Sequence, residues 1–177
     1  MSLVDEAREF AIKAHGDQKY GDLPYITHLD DVAGVLKEFC CGGELELTLA
    51  YLHDVLEDCP LYKEELVKEF GGDIYTLVEF LTDEEGLTRK ERKRETYARV
   101  IRQIVLWESF FPTGTGLHIK QSAAVRVKVA DRLANIRRSV GTDLFKMYKK
   151  EREVFRLAYY SEDVCEAMWE EYDRLLG

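Results

Sequence analysis

The stretch YLHDVLEDC, residues 51–59, sets His53 beside Asp54 and follows them with Glu57 and Asp58, all among apolar neighbours. On a helix, residues four positions apart lie one turn apart on the same face, so the four ionisable groups share one surface. The apolar neighbours predict that this helix is buried, and buried charges need partners that offset their desolvation. A bound divalent cation is the simplest partner. Taken alone, however, a His-Asp pair is common by chance, and the segment favours a helix whose charges are merely capped or ion-paired.

Two other segments add side chains of the same kinds. Residues 24–28 (PYITH) place His28 at a loop-to-helix junction, where Thr27 is the expected N-cap. Residues 127–137 (VKVADRLANIR) place Asp131 in an otherwise apolar helical stretch. A lone histidine at such a junction is usually structural, and a buried aspartate can pair with a nearby arginine. Two imidazoles and two carboxylates from three segments nevertheless form a mixed nitrogen and oxygen set that suits Mn²⁺, Fe²⁺, Zn²⁺ or similar ions.

The spacing of apolar residues predicts an all-α fold. Apolar residues recur at intervals of three and four almost throughout, and only 3 prolines and 12 glycines interrupt them. A chain of 177 residues, 46% of them hydrophobic, can bury one continuous core without disulfides. We therefore expect a single domain over residues 1–177, built as a helical bundle.

The same pattern locates the individual helices. The first ends near residue 16, and Gly71-Gly72 separates two shorter helices in the middle of the chain. Residues 16–24 and 110–118 are expected to be loops. The remaining helices are expected at about 28–41, 45–57, 62–70, 73–81, 88–111, 125–140 and within 144–176.

Composition limits the partners and the location. The net charge of -9 argues against binding to a nucleic-acid polymer, because neutralising phosphates requires clustered Lys and Arg. The start MSLVDEAREF is unlike a secretory signal, and no apolar run approaches the ~20 residues that span a bilayer. We expect a soluble cytoplasmic protein with no membrane association. No feature of the sequence identifies an oligomer.

Four segments together resemble, in order, the successive motifs of the hydrolase domains of Rel/Spo alarmone enzymes and their small single-domain relatives. Short stand-alone bacterial and phage HD proteins resemble the chain more closely still in TDEEGLTRKERKRETY (82–97) and LFKMYKKEREVF (144–155). The chain is thus identified as a member of the HD superfamily of metal-dependent phosphohydrolases. The four segments are AHGDQKYGDLPYITHL (14–29), AYLHDVLEDC (50–59), FGGDIYTLVEFLTDE (70–84) and VRVKVADRLANIR (125–137).

This resemblance implies a function and assigns residues to it. The expected substrate is a small phosphorylated nucleotide, foremost guanosine 3′,5′-bis(diphosphate), whose 3′-pyrophosphate ester is hydrolysed by a metal-activated water. Mn²⁺ is the first choice of metal, with Fe²⁺, Zn²⁺, Co²⁺ and Ni²⁺ as alternatives. The implied metal ligands are His28, His53, Asp54 and Asp131; Glu57 and Asp58 position or deprotonate the water; and Asn135 helps to hold the nucleoside.

The remaining substrate contacts are less defined by the sequence. Alarmone hydrolases usually carry a basic residue shortly after the glutamine of the first motif, where it can stack on the purine. Here Lys19 and Tyr20 stand in its place; either can cover a base, and Lys19 can equally be solvated. The RKERKR run offers Arg89, Lys90 and Arg94 to a polyphosphate, although charge runs on helices are usually solvated faces.

Other interpretations remain open at this stage. A phosphatase or phosphodiesterase that acts on another nucleotide needs the same metal site. A non-catalytic nucleotide-binding regulatory module is a different class, and the intact Glu57 and Asp58 pair argues against it because a sensor needs no base. A purely structural helical domain is a fourth possibility. The long segment 106–122, with Trp107, Phe110 and Phe111, is expected first as core and otherwise as a lid or a subunit contact.

Overall fold

Helices form nearly all of the regular structure, and the all-α prediction is confirmed. The structure is a computed structural model that describes residues 1–86, 88–110, 114–160 and 165–177. None of the helices among these residues is both long and apolar enough to cross a bilayer. A 3₁₀ turn covers Pro60–Tyr62, and an antiparallel hairpin pairs β1 (Lys19–Tyr20) with β2 (Leu23–Pro24). The helices are α1 (Leu3–His15), α2 (Ile26–Glu38), α3 (Glu44–Leu52), α4 (Val55–Asp58), α5 (Lys63–Leu81), α6 (Arg89–Phe110), α7 (Gly116–Ser139), α8 (Asp143–Tyr159) and α9 (Glu166–Leu176).

Helix α7 lies at the centre of the bundle, where it packs against α2, α3, α5, α8 and α9. Small residues on its buried faces let these helices approach closely, since Ala123, Ala124 and Ala130 are inaccessible to solvent. The larger Leu133 and Ile136 fill the space between the neighbouring helices and are equally buried. Because Asp131 belongs to this helix, its carboxylate is carried into the interior of the bundle.

Helix α1 begins with a capping box and ends at a glycine. The hydroxyl of Ser2 accepts a hydrogen bond from the backbone N–H of Asp5, whose carboxylate accepts one in return from the backbone N–H of Ser2. Gly16 then reverses the chain with a φ of 48°, in the left-handed region that glycine tolerates best. The reversal leads into the β1–β2 hairpin, so the predicted loop over residues 16–24 contains two short strands.

The predicted helix over residues 45–57 is interrupted at His53 and Asp54. Helix α3 ends just before this pair and α4 begins just after it. The Nδ1 atom of His53 bonds to the backbone carbonyl of Ala50 at 2.8 Å. In an uninterrupted helix that carbonyl accepts from the N–H of residue 54, so the histidine side chain competes with the helix at this point.

The start of α2 also differs from the prediction. The helix begins at Ile26, and the residue before it is Tyr25, which makes no side-chain capping hydrogen bond. Thr27, the expected N-cap, lies inside the first turn instead. The N-cap expectation is therefore wrong, although His28 does lie in the first turn of the helix.

Helices α5 and α7 are longer than predicted. Helix α5 continues through the Gly71-Gly72 pair, but a φ of 81° at Gly71 divides it into two arms that match the two predicted helices. Helix α7 begins at Gly116 rather than near residue 125. The side chain of Thr115 accepts a hydrogen bond from the backbone N–H of His118 and so caps this earlier start.

The segment 106–122 is only partly core. Trp107 is half-buried, and its ring lies 4.8 Å from that of Phe80. Phe110 at the end of α6 is 71% exposed. Phe111 lies outside the described residues. The core interpretation therefore holds for Trp107 and not for Phe110.

Aromatic residues of α8 and α9 pack against one another and against α7. The ring of Phe155 stacks on that of Tyr172 at 5.6 Å and lies 4.8 Å from that of Tyr159. The guanidinium of Arg132 lies 4.3 Å from the centre of the Phe155 ring. Helices α8 and α9 thereby hold an arginine of α7 that borders the candidate site.

Candidate metal centre and its pocket

Three buried side chains bring potential metal-ligating atoms together. One such atom each from His28, His53 and Asp131 lies within 4.8 Å of the others. The Oδ1 atom of Asp131 is 3.3 Å from Nε2 of His28 and 3.8 Å from Nε2 of His53. Both histidines are almost fully buried, at 2% and 1% exposure. Helix α2, the α3–α4 junction and α7 thus each contribute one side chain to a common centre.

Asp54 borders the same space from the other side. Its Oδ2 atom lies 3.1 Å from Nε2 of His53 and 3.5 Å from Nε2 of His28. The hydroxyl of Tyr25 donates a hydrogen bond of 2.7 Å to that oxygen. All four side chains predicted as ligands therefore lie close together. Asp54 does not belong to the set of three whose ligand atoms all lie within 4.8 Å of one another.

The donor set fits a divalent cation. A carbonyl oxygen can only accept a hydrogen bond, so Nδ1 of His53 donates its proton to Ala50, and Nε2 is the ring nitrogen that remains to take up a proton or a metal. This buried Nε2 has no hydrogen-bond partner among the described residues, yet it faces the carboxylates of Asp54 and Asp131. Lone pairs that face one another repel unless a cation lies between them. A mixed imidazole and carboxylate set is one that transition metals accept.

The pKa values report the same demand for positive charge. Burial opposes protonation of His28, but hydrogen bonds to Asp131 and Asp54 outweigh it and raise its pKa to about 9. Burial also opposes protonation of His53, but the negative charges of Asp54 and Asp131 outweigh it and raise its pKa to about 10. Although burial favours their neutral forms, the imidazoles hold the pKa of both carboxyls well below its ordinary value. The centre therefore favours positive charge, which protonated imidazoles or a metal ion can supply.

A cavity of about 150 Å³ opens beside these ligands, and four acidic and four basic side chains line it. The two kinds of charge are interleaved, since Lys93 pairs with Asp83 at 2.5 Å and Lys128 lies 3.8 Å from Asp131. The acidic group is Asp54, Glu57, Asp83 and Asp131; the basic group is Arg89, Lys93, Lys128 and Arg132; and His28, Tyr20, Tyr25, Asn135 and Tyr148 complete the lining. Such a cavity suits an anion that must also approach a metal.

Glu57 lies at the edge of this cavity as a candidate proton acceptor. Its Oε2 atom accepts a hydrogen bond of 3.3 Å from the backbone N–H of Asp83. Glu57 as a residue is exposed, like Asp58, but partial burial of its carboxyl raises the pKa of that group; Lys128 opposes the rise, and the charges of Asp83 and Asp54 add to it. A carboxylate whose pKa is raised toward neutrality is a better general base than an unperturbed one.

Asp58, the other acid of the pair, lies outside the cavity lining. Its side chain is exposed, and its Oδ2 atom accepts a hydrogen bond of 2.8 Å from Nε2 of Gln18. Adjacent residues of a helix point in different directions, so α4 directs Glu57 and Asp58 to different surroundings.

Of the residues expected to contact substrate, the structure brings three to the cavity. Tyr20 lies over His28, with ring centres 4.8 Å apart, and its hydroxyl donates to Asn135 Oδ1 at 2.7 Å. Arg89 lines the cavity and pairs with Glu151 at 3.0 Å. Three others are exposed and lie outside the lining: Lys19, Lys90 and Arg94, the last of which pairs with Glu95 at 2.7 Å.

Two lysines of the cavity were missed by the sequence analysis. Lys128 is 5% exposed; its Nζ donates to the carbonyl of Leu81 at 3.0 Å and lies 3.8 Å from Asp131 Oδ2. Burial lowers the pKa of Lys128, but Asp83 and Asp131 outweigh burial and raise it overall. Lys93 pairs with Asp83 at 2.5 Å. The sequence could have indicated Lys128, because it precedes Asp131 by about one helical turn and so lies on the same face of the helix.

Arg132 forms an ion pair and a hydrogen bond beside the candidate metal centre. Its Nη1 atom lies 2.9 Å from Glu151, the same carboxylate that pairs with Arg89. Its Nη2 donates to the hydroxyl of Tyr97 at 3.0 Å. The arginine is thus fixed in place while it still contributes to the cavity lining.

Comparison with known proteins places these residues in a family context. Residues 7–157 match the HD domain family. The guanosine-3′,5′-bis(diphosphate) 3′-pyrophosphohydrolase MESH1 of Xenopus tropicalis is 35% identical over 142 residues, which cover 77% of this chain and 69% of that protein. The enzyme of the same name from Drosophila melanogaster is 38% identical over 93 residues, so the match spans about half of each protein, 50% and 52% respectively.

Longer proteins and a solved structure are also similar. The GTP pyrophosphokinase rsh of Brucella ovis is 33% identical over 138 residues, which cover 77% of this chain but 17% of that protein. A solved structure of a metazoan SpoT orthologue that hydrolyses ppGpp superposes with a TM-score of 0.76. That superposition covers 99% of this chain and 94% of the other at 23% identity, and it shows that the two share a fold.

Proposed function

This chain belongs to the HD domain family, as its four motifs indicated, and on that premise we propose that it is a divalent-metal-dependent hydrolase of guanosine 3′,5′-bis(diphosphate). One observation carries the proposal. The same cavity brings together a buried set of potential metal ligands, a carboxylate with a raised pKa and four basic side chains. These are the parts that metal-assisted phosphate ester hydrolysis requires. The relatives named for this activity supply the substrate.

We assign the metal to His28, His53, Asp54 and Asp131. When bound, a divalent cation polarises a phosphoryl oxygen and lowers the pKa of a water molecule. Mn²⁺ is the proposed ion, and Fe²⁺, Zn²⁺, Co²⁺ and Ni²⁺ suit the same nitrogen and oxygen ligands. The hydrogen bond from His53 Nδ1 to the Ala50 carbonyl fixes the ring orientation and the tautomer that can bind metal through Nε2.

Glu57 is the proposed proton acceptor. The oxygen of water forms a bond to the phosphorus attached to the 3′ oxygen, and the bond from that phosphorus to the 3′ oxygen breaks. One proton of the water passes to Glu57 and then to the 3′ oxygen, which leaves as a hydroxyl. The products are guanosine diphosphate and pyrophosphate. Asp58 belongs to the same acidic pair, but its position requires a role at a distance from the water.

The four basic side chains of the cavity are the proposed contacts for the phosphates. Arg89, Lys93, Lys128 and Arg132 bring four positive charges to the cavity, where ion pairs with Glu151 and Asp83 hold three of them in place. Such a local concentration attracts a polyphosphate and offsets the charge that develops during phosphoryl transfer. Lys19, Lys90 and Arg94 lie outside the cavity, so we assign them no direct contact with the reacting phosphate.

A screen of the full chain with Mn²⁺ tests the substrate. Pyrophosphate and phosphate release are measured in parallel from guanosine 3′,5′-bis(diphosphate) and from guanosine and adenosine 5′-phosphates. We expect pyrophosphate release from the first to be faster than phosphate release from any of the others. Absence of pyrophosphate release, together with clear phosphate release from another nucleotide, would retain the metal centre and discard the alarmone.

A second candidate is a phosphatase or phosphodiesterase that acts on another nucleotide. The observation in its favour concerns Tyr20, which stands where alarmone hydrolases usually carry a basic residue. Its hydroxyl donates a hydrogen bond to Oδ1 of Asn135, the residue proposed to hold the nucleoside. A nucleoside pocket altered in this way can prefer a different base or sugar. The same screen separates the two candidates by product, pyrophosphate for the first and inorganic phosphate for the second.

A further inference from the structure

A series of contacts connects Asp58, which lies outside the cavity lining, to Asp54, which is part of it. The Nε2 atom of Gln18 donates to Asp58 Oδ2 at 2.8 Å. The Oε1 atom of the same glutamine lies 2.8 Å from Nδ1 of His15. Because a glutamine oxygen can only accept, His15 donates through Nδ1, and both ends of the Gln18 amide are used.

Tyr25 completes the series. The rings of His15 and Tyr25 stack with centres 4.3 Å apart and planes 17° from parallel. The hydroxyl of Tyr25 donates to Asp54 Oδ2 at 2.7 Å. The backbone N–H of Tyr25 also donates to the carbonyl of Gln18 at 3.0 Å, which closes the base of the β1–β2 hairpin. Gln18 therefore links Asp58 to Tyr25 by two routes. Its side chain binds Asp58 and also His15, which stacks on Tyr25, and its backbone carbonyl accepts from the backbone N–H of Tyr25.

We propose that Asp58 is a positioning residue that anchors Gln18 and thereby holds the Tyr25 hydroxyl on the metal ligand Asp54. Its contribution to the reaction rate rests on the proposed function, whereas its effect on metal affinity does not. In this arrangement the two acids of the pair divide the work. Glu57 takes the proton at the cavity, and Asp58 keeps the metal ligand in its binding orientation.

The hairpin explains why an anchor is needed. A two-residue pairing of β1 with β2 is too short to be stable by itself in water. It nevertheless carries Tyr20 and is followed directly by Tyr25, and both residues line the cavity. The contact between Gln18 and Asp58 ties this short hairpin to α4, which directly follows the metal-binding pair at residues 53–54.

The test compares two substitutions of Asp58 by calorimetric titration with Mn²⁺. Asp58→Ala removes the acceptor for Gln18 and should weaken Mn²⁺ affinity by about tenfold or more, as loss of a group that orients a ligand typically does. Asp58→Asn keeps an oxygen that can accept from Gln18, so Mn²⁺ affinity and turnover should stay close to the parent values. Gln18→Ala and Tyr25→Phe should reproduce the loss seen with Asp58→Ala.

The Asn variant separates positioning from proton transfer. If Asp58 itself takes the proton, Asp58→Asn should lose turnover about 10²-fold or more while it binds Mn²⁺ as the parent does, and that result would overturn the proposal. Parent Mn²⁺ affinity in Asp58→Ala would overturn it as well. The double variant Asp58→Ala/Gln18→Ala should bind Mn²⁺ no more weakly than either single variant, because each substitution alone already breaks the same contact between Gln18 and Asp58.

Controls guard against general damage and against failure of the substrate assignment. Asp17→Asn, at an exposed acid of the same hairpin region, should keep parent affinity and parent turnover. Glu57→Gln should keep Mn²⁺ affinity. If Asp58→Ala does not fold, Gln18→Ala carries the same affinity test. If the parent fails to release pyrophosphate, the proposed function is lost, yet the Mn²⁺ affinities still decide the role of Asp58.

Discussion

The hydroxyl of Tyr20 donates a hydrogen bond of 2.7 Å to Oδ1 of Asn135 and so joins the β1–β2 hairpin to α7. The Nδ2 atom of Asn135 donates to the backbone carbonyl of Asp131 at 3.1 Å and also to its carboxylate. Both ends of the Asn135 amide are therefore committed within the protein. A nucleoside that uses the Asn135 carbonyl must first displace the Tyr20 hydroxyl.

Tyr20→Phe should tighten nucleoside binding. The substitution keeps the ring over His28 and frees the Asn135 carbonyl, so KM for guanosine 3′,5′-bis(diphosphate) should fall about fivefold, the worth of one hydrogen bond. Steady-state kinetics with Mn²⁺ measure this effect. In an Asn135→Ala background the same substitution should leave KM unchanged. A higher KM in Tyr20→Phe would mean that the hydroxyl itself contacts the substrate.

Asp131→Ala and Glu57→Gln should fail in different ways. Asp131→Ala removes a ligand and should lose metal and activity together. Glu57→Gln retains the ligand set and should lose turnover by about 10²- to 10⁴-fold, the usual worth of general-base assistance. Elemental analysis and turnover are measured on the same preparations. Near-parent turnover in Glu57→Gln would remove this residue as the proton acceptor.

The pH dependence of kcat/KM should follow Glu57. The ionised form accepts the proton, and burial raises the pKa of this carboxyl above 4.5, so the activity should be lost as pH falls through that raised value. Lys128 holds the pKa down, so Lys128→Met should move the acidic limb of the profile to higher pH. A limb that stays in place in this variant would separate the titrating group from Glu57.

Lys128→Met should also destabilise the metal-free protein. Its ammonium lies 3.8 Å from Asp131, and Asp83 also stabilises its charged form, so the substitution removes one of the positive charges that face these buried carboxylates. Because His28, His53 and Lys93 still face these carboxylates, the loss should cost about 1 to 3 kcal/mol, measurable by denaturant unfolding. Lys90→Met, at an exposed lysine of α6, should change the free energy of unfolding by no more than about 0.5 kcal/mol. Equal effects of the two variants would contradict a structural role for Lys128.

The sequence by itself determined the helical class and predicted the candidate metal ligands that the fold brings together. Apolar spacing predicts helices because a helix buries one face, and this periodicity is local to each segment. The set His28, His53, Asp54 and Asp131 was accessible for a related reason: an ionisable residue within an apolar stretch must find a partner inside the fold. The HD resemblance was likewise carried by short contiguous motifs, and the family match confirms it.

Local pattern did not predict the break between α3 and α4. Helical spacing put Glu57 and Asp58 on one surface with the ligands, whereas the bond from His53 to the Ala50 carbonyl interrupts the helix before them. Glu57 then lies at the cavity and Asp58 lies beside Gln18. A side chain that competes for a backbone carbonyl leaves no trace in apolar periodicity.

Only the tertiary structure decided which charges line the cavity. In the RKERKR run, Lys93 reaches the cavity while Arg94 pairs with Glu95, a difference set by which face of α6 packs against the bundle. Lys128 belongs to α7 and Asp83 follows the end of α5, and their proximity depends on how α5 and α7 pack together. Sequence spacing defines neighbours along one helix, but Coulomb energy depends on distance in space, so such partners become visible only once the helices are assembled.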